Sequence, residues 1–396
     1  MAARINSASI RRVNLVRVFH ALRRHPNSSQ TELQRLTGLD KATTSMVVTQ
    51  MLEEGLLARR EPVSVGRVGR PESALSISPA AGIFVGARLE PRKIRLITTD
   101  LAGSPLQRLT ISGSTDIHQA MALLHEGYTE IVRASGPELI VRGIGVGVPA
   151  LMDLAGGLVL APNLGWQSLP IQPLLQENLE APVYVDNDAN AAAMAERLFG
   201  ACQHSEHFVY LSCHSGIGAG LFLEGRLYRG SQGLSGEIGH LTVVDQGRPC
   251  GCGKRGCLET YTSEAGILRT LSERGRCYED LVEVAQAAAK QDAIVLEQLD
   301  EVGHYLGLGL SSLVNLLNPE MVVLGGTLSN VFEFLKDGLL RTMDAHTMTP
   351  HRAAIRVILS PLGAEVVPMG GIALAMDGYL SAPHLDTSLR SSRLKA

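Results

Sequence analysis

The sequence predicts an α/β protein in which a small helical head precedes a larger body that contains a duplicated unit. The 41 glycines among 396 residues fit the many tight turns that join strands to helices. A short helix, a glycine turn and a longer helix are predicted over residues 28–54, and two short strands follow. A strand–turn–strand pattern at residues 83–100 recurs at residues 208–226, as a duplicated core would show.

The charge is unevenly distributed along the chain, although the net charge is only −3. Residues 1–76 hold 12 Lys and Arg against 6 Asp and Glu, whereas the rest holds 24 against 33. A basic head on an acidic body indicates that the head meets a polyanion. No window of 18 apolar residues and no signal peptide is found, so we expect a cytoplasmic protein without a membrane partner. Six cysteines, three of them clustered, also suit a reducing compartment better than a disulfide framework.

The head has the pattern of a helix-turn-helix. The spacing of apolar residues predicts a first helix from Ile10 to Arg24. Ser28 or Ser29 can cap a second, short helix, Gly38 makes the turn, and Asp40 caps a third that ends near Glu54. The alternative is a small helical interaction module with a solvated basic face.

In a helix-turn-helix, the amino-terminal part of the recognition helix enters the major groove, so operator DNA is the expected partner. The strands predicted at Leu56–Arg60 and Ser73–Ile77 enclose a wing rich in arginine and glycine, which suits a minor groove or a pair of phosphates. The predicted DNA contacts are Lys41, Thr43, Ser45 and Met46 on the helix and Arg67 and Arg70 in the wing.

A compact set of metal-ligating side chains lies in the glycine-rich run from residue 233 to 259. Three thiols within eight residues and one imidazole ten residues earlier are the ligands of a closed, tetrahedral structural Zn²⁺ site. The alternative is three unrelated thiols, but a loop this rich in glycine has no core to bury them. The predicted ligands are His240, Cys250, Cys252 and Cys257.

These residues carry a resemblance to a known family. E-x-G-H at 237–240 and C-G-C-G-x-x-G-C-L-E at 250–259 resemble the signature of the ROK family of repressors and sugar kinases. The resemblance runs from about residue 80 to 380 and implies a two-lobed, actin-like (ribonuclease H-like) sugar-kinase fold. We therefore expect a winged helix-turn-helix over 1–76, a first lobe over 78–195 completed by a helix at about 366–380, and a second lobe over 196–365 with the zinc loop at 240–257.

The resemblance also implies a monosaccharide site between the lobes, built from Asn163, Asn187, Asp188, Glu237, His240 and Glu259. Asp188 matches the catalytic base of the family's kinases, and His240 can serve both the metal and the sugar. The alternatives are ordinary ones: a turn at Asn163, helix caps at Asp186 and Asp188, and solvated loop carboxylates. For Asp186 we favour the cap.

Two loops that resemble the phosphate-binding loops of ROK kinases depart from the family pattern. In the first, Arg88 stands where the kinases have Asp, and Glu90 and Pro91 replace two glycines. Proline removes an N–H donor and glutamate repels phosphate. In the second, His214 replaces the first glycine. We therefore expect a regulator and no enzyme.

The predicted function is a sugar-responsive transcriptional repressor, similar to repressors for xylose and N-acetylglucosamine, that acts as a homodimer or tetramer. The alternative is an ATP-dependent sugar kinase, alone or combined with regulation, with Asp188 as its base. Activation in place of repression fits the same residues.

Overall fold

The computed structural model of the protein describes residues 7–60 and 74–381, and its first part is a helix-turn-helix. Ser29 accepts a hydrogen bond from the N–H of Glu32, and Asp40 accepts one from the N–H of Thr43, so both predicted caps form. Gly38 turns the chain between them with a φ of +68°. The elements are α1 (Ser7–Arg24), α2 (Gln30–Thr37), α3 (Lys41–Glu53), β1 (Leu57–Arg60) and β2 (Ala74–Ile77).

The first half of the body is a five-stranded sheet with helices and a small three-stranded sheet attached. Its elements are β3 (Ile83–Leu89), β4 (Lys93–Asp100), β5 (Pro105–Ser112), α4 (Ile117–Ser135), β6 (Val141–Val148), β7 (Leu151–Met152), β8 (Leu158–Ala161), β9 (Trp166–Leu169), α5 (Ile171–Asn178), β10 (Val183–Asn187) and α6 (Asp188–Leu198).

The second half contains another five-stranded sheet and most of the helices. Its elements are β11 (Phe208–Cys213), β12 (Ile217–Leu223), β13 (Arg226–Tyr228), α7 (Glu259–Thr262), α8 (Glu264–Glu273), α9 (Leu281–Ala289), α10 (Ala293–Leu317), β14 (Met321–Gly326), α11 (Phe332–His346), α12 (Thr349–Ala354) and β15 (Arg356–Leu359). Helix α13 (Val366–Ser381) then returns to the first sheet.

The two large sheets have the same topology. Their orders are β10-β6-β3-β4-β5 and β15-β14-β11-β12-β13, so in each sheet the first three strands form an antiparallel meander and the last two add in parallel beside the first. The recurrence seen in the sequence is therefore a structural duplication, as the two-lobed fold requires.

Helix α13 lies directly against the first sheet because glycines line the crossing. A Cβ added to Gly86 would lie 2.0 Å from the carbonyl oxygen of Pro368, and one added to Gly145 would lie 1.8 Å from that of Gly371. These positions therefore exclude any side chain. The same apolar core extends into the head, since Leu15, Val18 and Phe19 of α1 belong to one buried cluster with alanines of α6.

Among residues 7–60 and 74–381, no helix combines the length and the apolar character needed to cross a bilayer.

Candidate metal centre and sugar site

The cysteine loop is folded by its own backbone hydrogen bonds. The N–H of Cys250 donates to the carbonyl of Lys254 at 2.9 Å, and the N–H of Gly253 donates to the carbonyl of Cys250 at 3.0 Å. Gly256 has a φ of +75°, and a Cβ there would lie 1.7 Å from the carbonyl oxygen of Val244. The glycine run thus allows the cysteine loop to fold tightly, and we call this loop the knuckle. Side chains at the glycine positions would prevent this fold.

The knuckle brings the four predicted ligands to one point. The ligand atoms of His240, Cys250, Cys252 and Cys257 all lie within 4.8 Å of one another. The sulfurs of Cys252 and Cys257 are 3.7 Å apart, and Nδ1 of His240 is 3.6 Å from the sulfur of Cys250. Three thiols and one imidazole at this separation can share one metal ion.

The imidazole of His240 is flanked by two carboxylates. Nε2 lies 3.7 Å from the carboxylate of Glu237, and Nδ1 lies 3.6 Å from that of Glu259. Oε1 of Glu259 is also 2.9 Å from the sulfur of Cys250. Because Nδ1 faces the thiols and Nε2 faces Glu237, the metal cluster and two of the predicted sugar ligands form a continuous polar unit.

Asp188 is bound by an arginine that sequence reasoning did not connect with it. Nη2 of Arg88 donates to Oδ2 of Asp188 at 3.0 Å. Arg88 is only 3% exposed and Asp188 only 8% exposed, so the pair is buried. The guanidinium occupies one carboxylate oxygen of the residue that matches the kinase base.

The cap of α6 differs from our expectation. We favoured Asp186 as the cap, but the structure has Asn187 there, and its Oδ1 accepts from the N–H groups of Ala189 and Asn190. Its amide nitrogen donates to the carbonyl of Ala150 at 2.9 Å. Asp186 instead binds Arg229 at 2.5 Å and the side chain of Asn190 at 3.1 Å. The expectation was wrong because three consecutive polar residues suit the cap by type, and the carboxylate of Asp186 is engaged by these two partners instead.

Asn163 links the two halves of the body. Its amide nitrogen donates to Oγ of Ser215 at 2.9 Å, and Ser215 lies in the turn between β11 and β12. This bond uses one N–H of the amide and leaves the other N–H and the amide oxygen for a sugar hydroxyl.

The other predicted sugar residues face the same region. Burial raises the pKa of the Glu237 carboxyl above its usual value, and the nearby charges of Glu259 and Asp188 raise it further against a lowering by His240. The turn that carries Glu237 lies against β12, since a Cβ on Gly236 would lie 1.9 Å from the carbonyl oxygen of Ala219. Strand β12 in turn lies against the first turn of α6, because a Cβ on Gly220 would lie 2.4 Å from the carbonyl oxygen of Ala189.

A cavity of about 360 Å³ opens beside Glu237 and His240. Its other walls are mostly apolar and include Leu221, Leu313 and Leu316. These walls offer few partners to sugar hydroxyls, and Asp188 is absent from the lining. The cavity therefore borders the polar cluster at Glu237 and His240 but does not reach Asp188.

The two altered loops face each other. In the first, the carboxylate of Glu90 lies 3.5 Å from both Arg88 and Arg95, so these cations are already neutralised. In the second, Nε2 of His214 is buried without a hydrogen-bond partner among the described residues. Burial, with the charges of Arg88, Arg95 and Lys93 behind it, lowers the pKa of His214 well below its usual value. A neutral imidazole and paired arginines offer little to a triphosphate.

The recognition helix presents most of the predicted DNA contacts to solvent. Lys41 and Ser45 are exposed, and Met46 is 47% exposed. Thr43 is half-buried, and its hydroxyl donates to Oδ2 of Asp40 at 2.6 Å, which engages it in the helix cap. Arg67 and Arg70 lie outside the described residues.

Sequence reasoning missed several residues near these candidate sites. Thr49 is exposed four residues after Ser45 on the recognition helix, and this helical spacing could have indicated it as a further candidate. Arg229 and Ser215 contact the site from the second lobe, and no pattern in the sequence pairs them with Asp186 and Asn163.

Comparison with known protein families shows to which family the chain belongs. The ROK family matches residues 82–377, about three quarters of the chain. The chain belongs to the ROK family. A MarR family match covers residues 16–67, in agreement with the helix-turn-helix ahead of the ROK body.

Individual ROK proteins of two kinds resemble the chain. The xylose repressor of Bacillus subtilis (strain 168) is 30% identical over 379 residues, which cover 94% of this chain and 97% of the repressor. The crystal structure of a ROK family transcriptional regulator, a homologue of the E. coli MLC protein, has a TM-score of 0.81 and 26% identity, and covers 94% of this chain and 97% of its own. A ROK family glucokinase from Streptomyces griseus, solved with glucose and AMPPNP, has a TM-score of 0.67 and 25% identity, and covers 75% of this chain and all of its own.

Proposed function

We propose that this protein is a transcriptional repressor that binds operator DNA through its winged helix-turn-helix and senses a monosaccharide between its ROK lobes. The observation that carries the proposal is the buried pair of Arg88 and Asp188 in a chain that also has an exposed recognition helix. The position of the kinase base is occupied, while the elements for DNA binding are intact. The full-length similarity to a xylose repressor and to a ROK regulator structure supports the same function.

The sugar ligands are Asn163, Asn187, Asp188, Glu237, His240 and Glu259. Carboxylates and amides suit this role because each carboxylate accepts from two hydroxyls and each amide both donates and accepts. Asn187 contributes only what its capping role leaves free, since its Oδ1 already accepts two backbone N–H groups. Asp188 keeps one carboxylate oxygen for a hydroxyl beside its bond to Arg88.

The metal is a structural Zn²⁺ held by His240, Cys250, Cys252 and Cys257. Zinc bonds of about 2.3 Å to sulfur and 2.0 Å to nitrogen at tetrahedral angles place the ligand atoms roughly 3.5–3.8 Å apart. The distances of 3.7 Å between sulfurs and 3.6 Å between sulfur and Nδ1 fit these values. The ion would fix the tautomer of His240 and hold Glu259 near the sugar; no reacting group binds to it.

DNA recognition involves Lys41, Ser45 and Met46, together with Arg67 and Arg70 of the wing. The protein acts as a dimer or a larger even-numbered assembly, because two heads read a pseudo-palindromic site. The head is residues 1–76, the first lobe is 78–195 with the helix at 366–380, and the second lobe is 196–365.

The test is a binding experiment with and without sugar. The full-length protein selects duplexes from a random DNA pool, and fluorescence anisotropy then measures affinity in the presence of D-xylose, N-acetyl-D-glucosamine or D-glucose. We expect specific binding that one of the sugars weakens. No specific binding with any sugar would refute the proposal.

The family's glucokinases make a sugar kinase the second candidate, and Asp188, Glu237 and Glu259 favour it. Arg88, Glu90 and His214 oppose it, because the loops that would hold triphosphate are filled and already paired. An assay that couples ADP release to NADH oxidation, run over common hexoses and pentoses, separates the two. We expect no turnover above the buffer rate.

A further inference from the structure

Helix α6 runs from the proposed sugar site to the DNA-binding head. It begins at Asp188, and the chain leaves it at Phe199. Eleven residues at 1.5 Å each give a length of roughly 16 Å. Its first residue is bound by Arg88 at the sugar site, and the residue after its last turn contacts α1 of the head.

The contact at the far end is a cation–π pair. The guanidinium of Arg23 lies 5.2 Å from the ring centroid of Phe199. Nε of Arg23 is buried without a hydrogen-bond partner among the described residues, so the ring is a principal neighbour of this cation. Phe199 is held on its other side by Gly103, where a Cβ would lie 2.3 Å from the ring.

The helix between these ends cannot absorb a displacement. Ala189, Ala191, Ala192, Ala193 and Ala195 are all at most 1% exposed, and alanine has no side-chain rotamers to adjust. Its backbone lies against α13 on one side, because a Cβ on Gly370 would lie 2.2 Å from the carbonyl oxygen of Ala191. Close-packed elements of this kind shift as units.

Both ends of α6 are also bound by residues that follow strands of the second five-stranded sheet. At the start, Asp186 binds Arg229, which follows β13, at 2.5 Å. Near the end, the carboxylate of Glu196 accepts a hydrogen bond of 2.5 Å from Ser360, which follows β15. A movement of the second sheet therefore acts on α6 at two points.

We propose that α6 is the mechanical connection between the sugar site and the DNA-binding head, and that Phe199 and Arg23 form its output contact. The inference rests on the proposed function, because it needs a sugar at Asp188 and DNA at the head. A sugar hydroxyl that binds Asp188 beside Arg88 changes the position of the helix start. The rigid helix passes this change to Phe199, and Arg23 transfers it to α1. Phe199 and Arg23 are positioning residues and contact neither ligand.

The test compares the factor by which a sugar changes DNA affinity in the wild type and in variants of the output contact. The variants are Phe199→Leu, which keeps apolar bulk without a π face, and Arg23→Gln. The control is Arg274→Gln, which breaks an ion pair of 3.2 Å with Glu297 in the second lobe. Affinities are measured by anisotropy on a selected duplex, with D-xylose, N-acetyl-D-glucosamine or D-glucose as the probe.

We expect a sugar to weaken DNA binding by the wild type about 10-fold, within the usual range of allosteric coupling. In Phe199→Leu and Arg23→Gln this factor falls below about 3, while sugar affinity in the absence of DNA changes by less than about 3-fold. By reciprocity, the DNA-dependent change in sugar affinity falls by the same factor. Arg274→Gln keeps the wild-type factor.

Two outcomes overturn the inference, and they are distinguishable. If the wild type shows no sugar effect on DNA binding, the proposed function fails together with the inference. If the wild type shows the effect and both folded variants retain it, only the role of α6 fails. Should Phe199→Leu lose its native circular dichroism, Arg23→Gln decides alone, because Arg23 is only half-buried and is not part of the buried apolar cluster.

Discussion

The guanidinium of Arg88 donates to the carboxylate of Asp188 across 3.0 Å, although 100 positions separate the two residues in the chain. Arg88 lies next to the last residue of β3, beside the first altered loop, and Asp188 begins α6 at the proposed sugar site. The arginine that stands where the kinases have Asp thus binds the residue that matches the kinase base.

Removing Arg88 leaves a buried carboxylate without its cation. We expect Arg88→Met to lower the free energy of unfolding by about 3 kcal/mol, in the range found when one partner of a buried ion pair is removed. The double variant Arg88→Met/Asp188→Asn recovers most of this loss, because no charge remains unpaired. Urea denaturation measures both. Equal losses in the single and double variants would contradict the pairing. The exposed ion pair of Arg274 and Glu297 offers a control, since we expect Arg274→Gln to change the free energy of unfolding by less than about 1 kcal/mol.

The metal proposal predicts one Zn²⁺ per chain. Elemental analysis of the purified protein checks this number, and we expect Cys257→Ser to lose the ion and to lower the melting temperature, since bound metal stabilises the native state alone. Cys277→Ser is the matched control, because Cys277 is an exposed thiol outside the cluster. A chain with native stability after complete removal of zinc by a chelator would show that the loop needs no metal.

Lys41 is predicted to contact phosphate at the start of the recognition helix. We expect Lys41→Gln to weaken binding to all sequences alike and to reduce the slope of log affinity against log salt by about 1. Anisotropy titrations from low to moderate salt give the slope. Lys290→Gln at the end of α9 in the body should leave it unchanged. A change in sequence preference without a change in slope would instead place Lys41 on a base.

His20, in helix α1 of the head, makes the stability of the fold sensitive to acid. Burial, followed by the charges of Arg23, Arg24 and Arg197, lowers the pKa of His20 from 6.5 to about 3. The unfolded chain therefore binds a proton between these pH values that the folded chain excludes, so His20 stabilises the fold above pH 6.5 and this stabilisation is lost as pH falls toward 3. Between pH 6.5 and 4.5 the loss is about 2 kcal/mol.

We expect His20→Gln to remove this part of the pH dependence, so that its stability falls less between pH 6.5 and 4.5 than that of the wild type. Urea denaturation at several pH values measures the difference. His118→Gln is the control, because His118 is an exposed histidine on α4. Parallel pH profiles for His20→Gln and the wild type would contradict a buried, neutral His20.

Local patterns predicted the parts of this protein that depend on neighbouring residues. The caps at Ser29 and Asp40, the turn at Gly38 and the knuckle that gathers Cys250, Cys252 and Cys257 all follow from backbone geometry within a few residues. The cap of α6 was predicted wrongly because Asp186, Asn187 and Asp188 are equally suited by type. The contacts of Asp186 with Arg229 and Asn190 leave the cap to Asn187.

The sequence by itself determined the winged helix-turn-helix, the duplicated α/β body and the four candidate metal ligands, because each depends on periodicity or short spacing that the chain carries locally. Only the tertiary structure decided that Arg88 would bind Asp188, that Asn163 would reach Ser215 and that α6 would run from the proposed sugar site to the head. These contacts join residues from distant parts of the chain. Their partners are chosen by how the sheets and helices pack, and no local pattern of residue types contains that information.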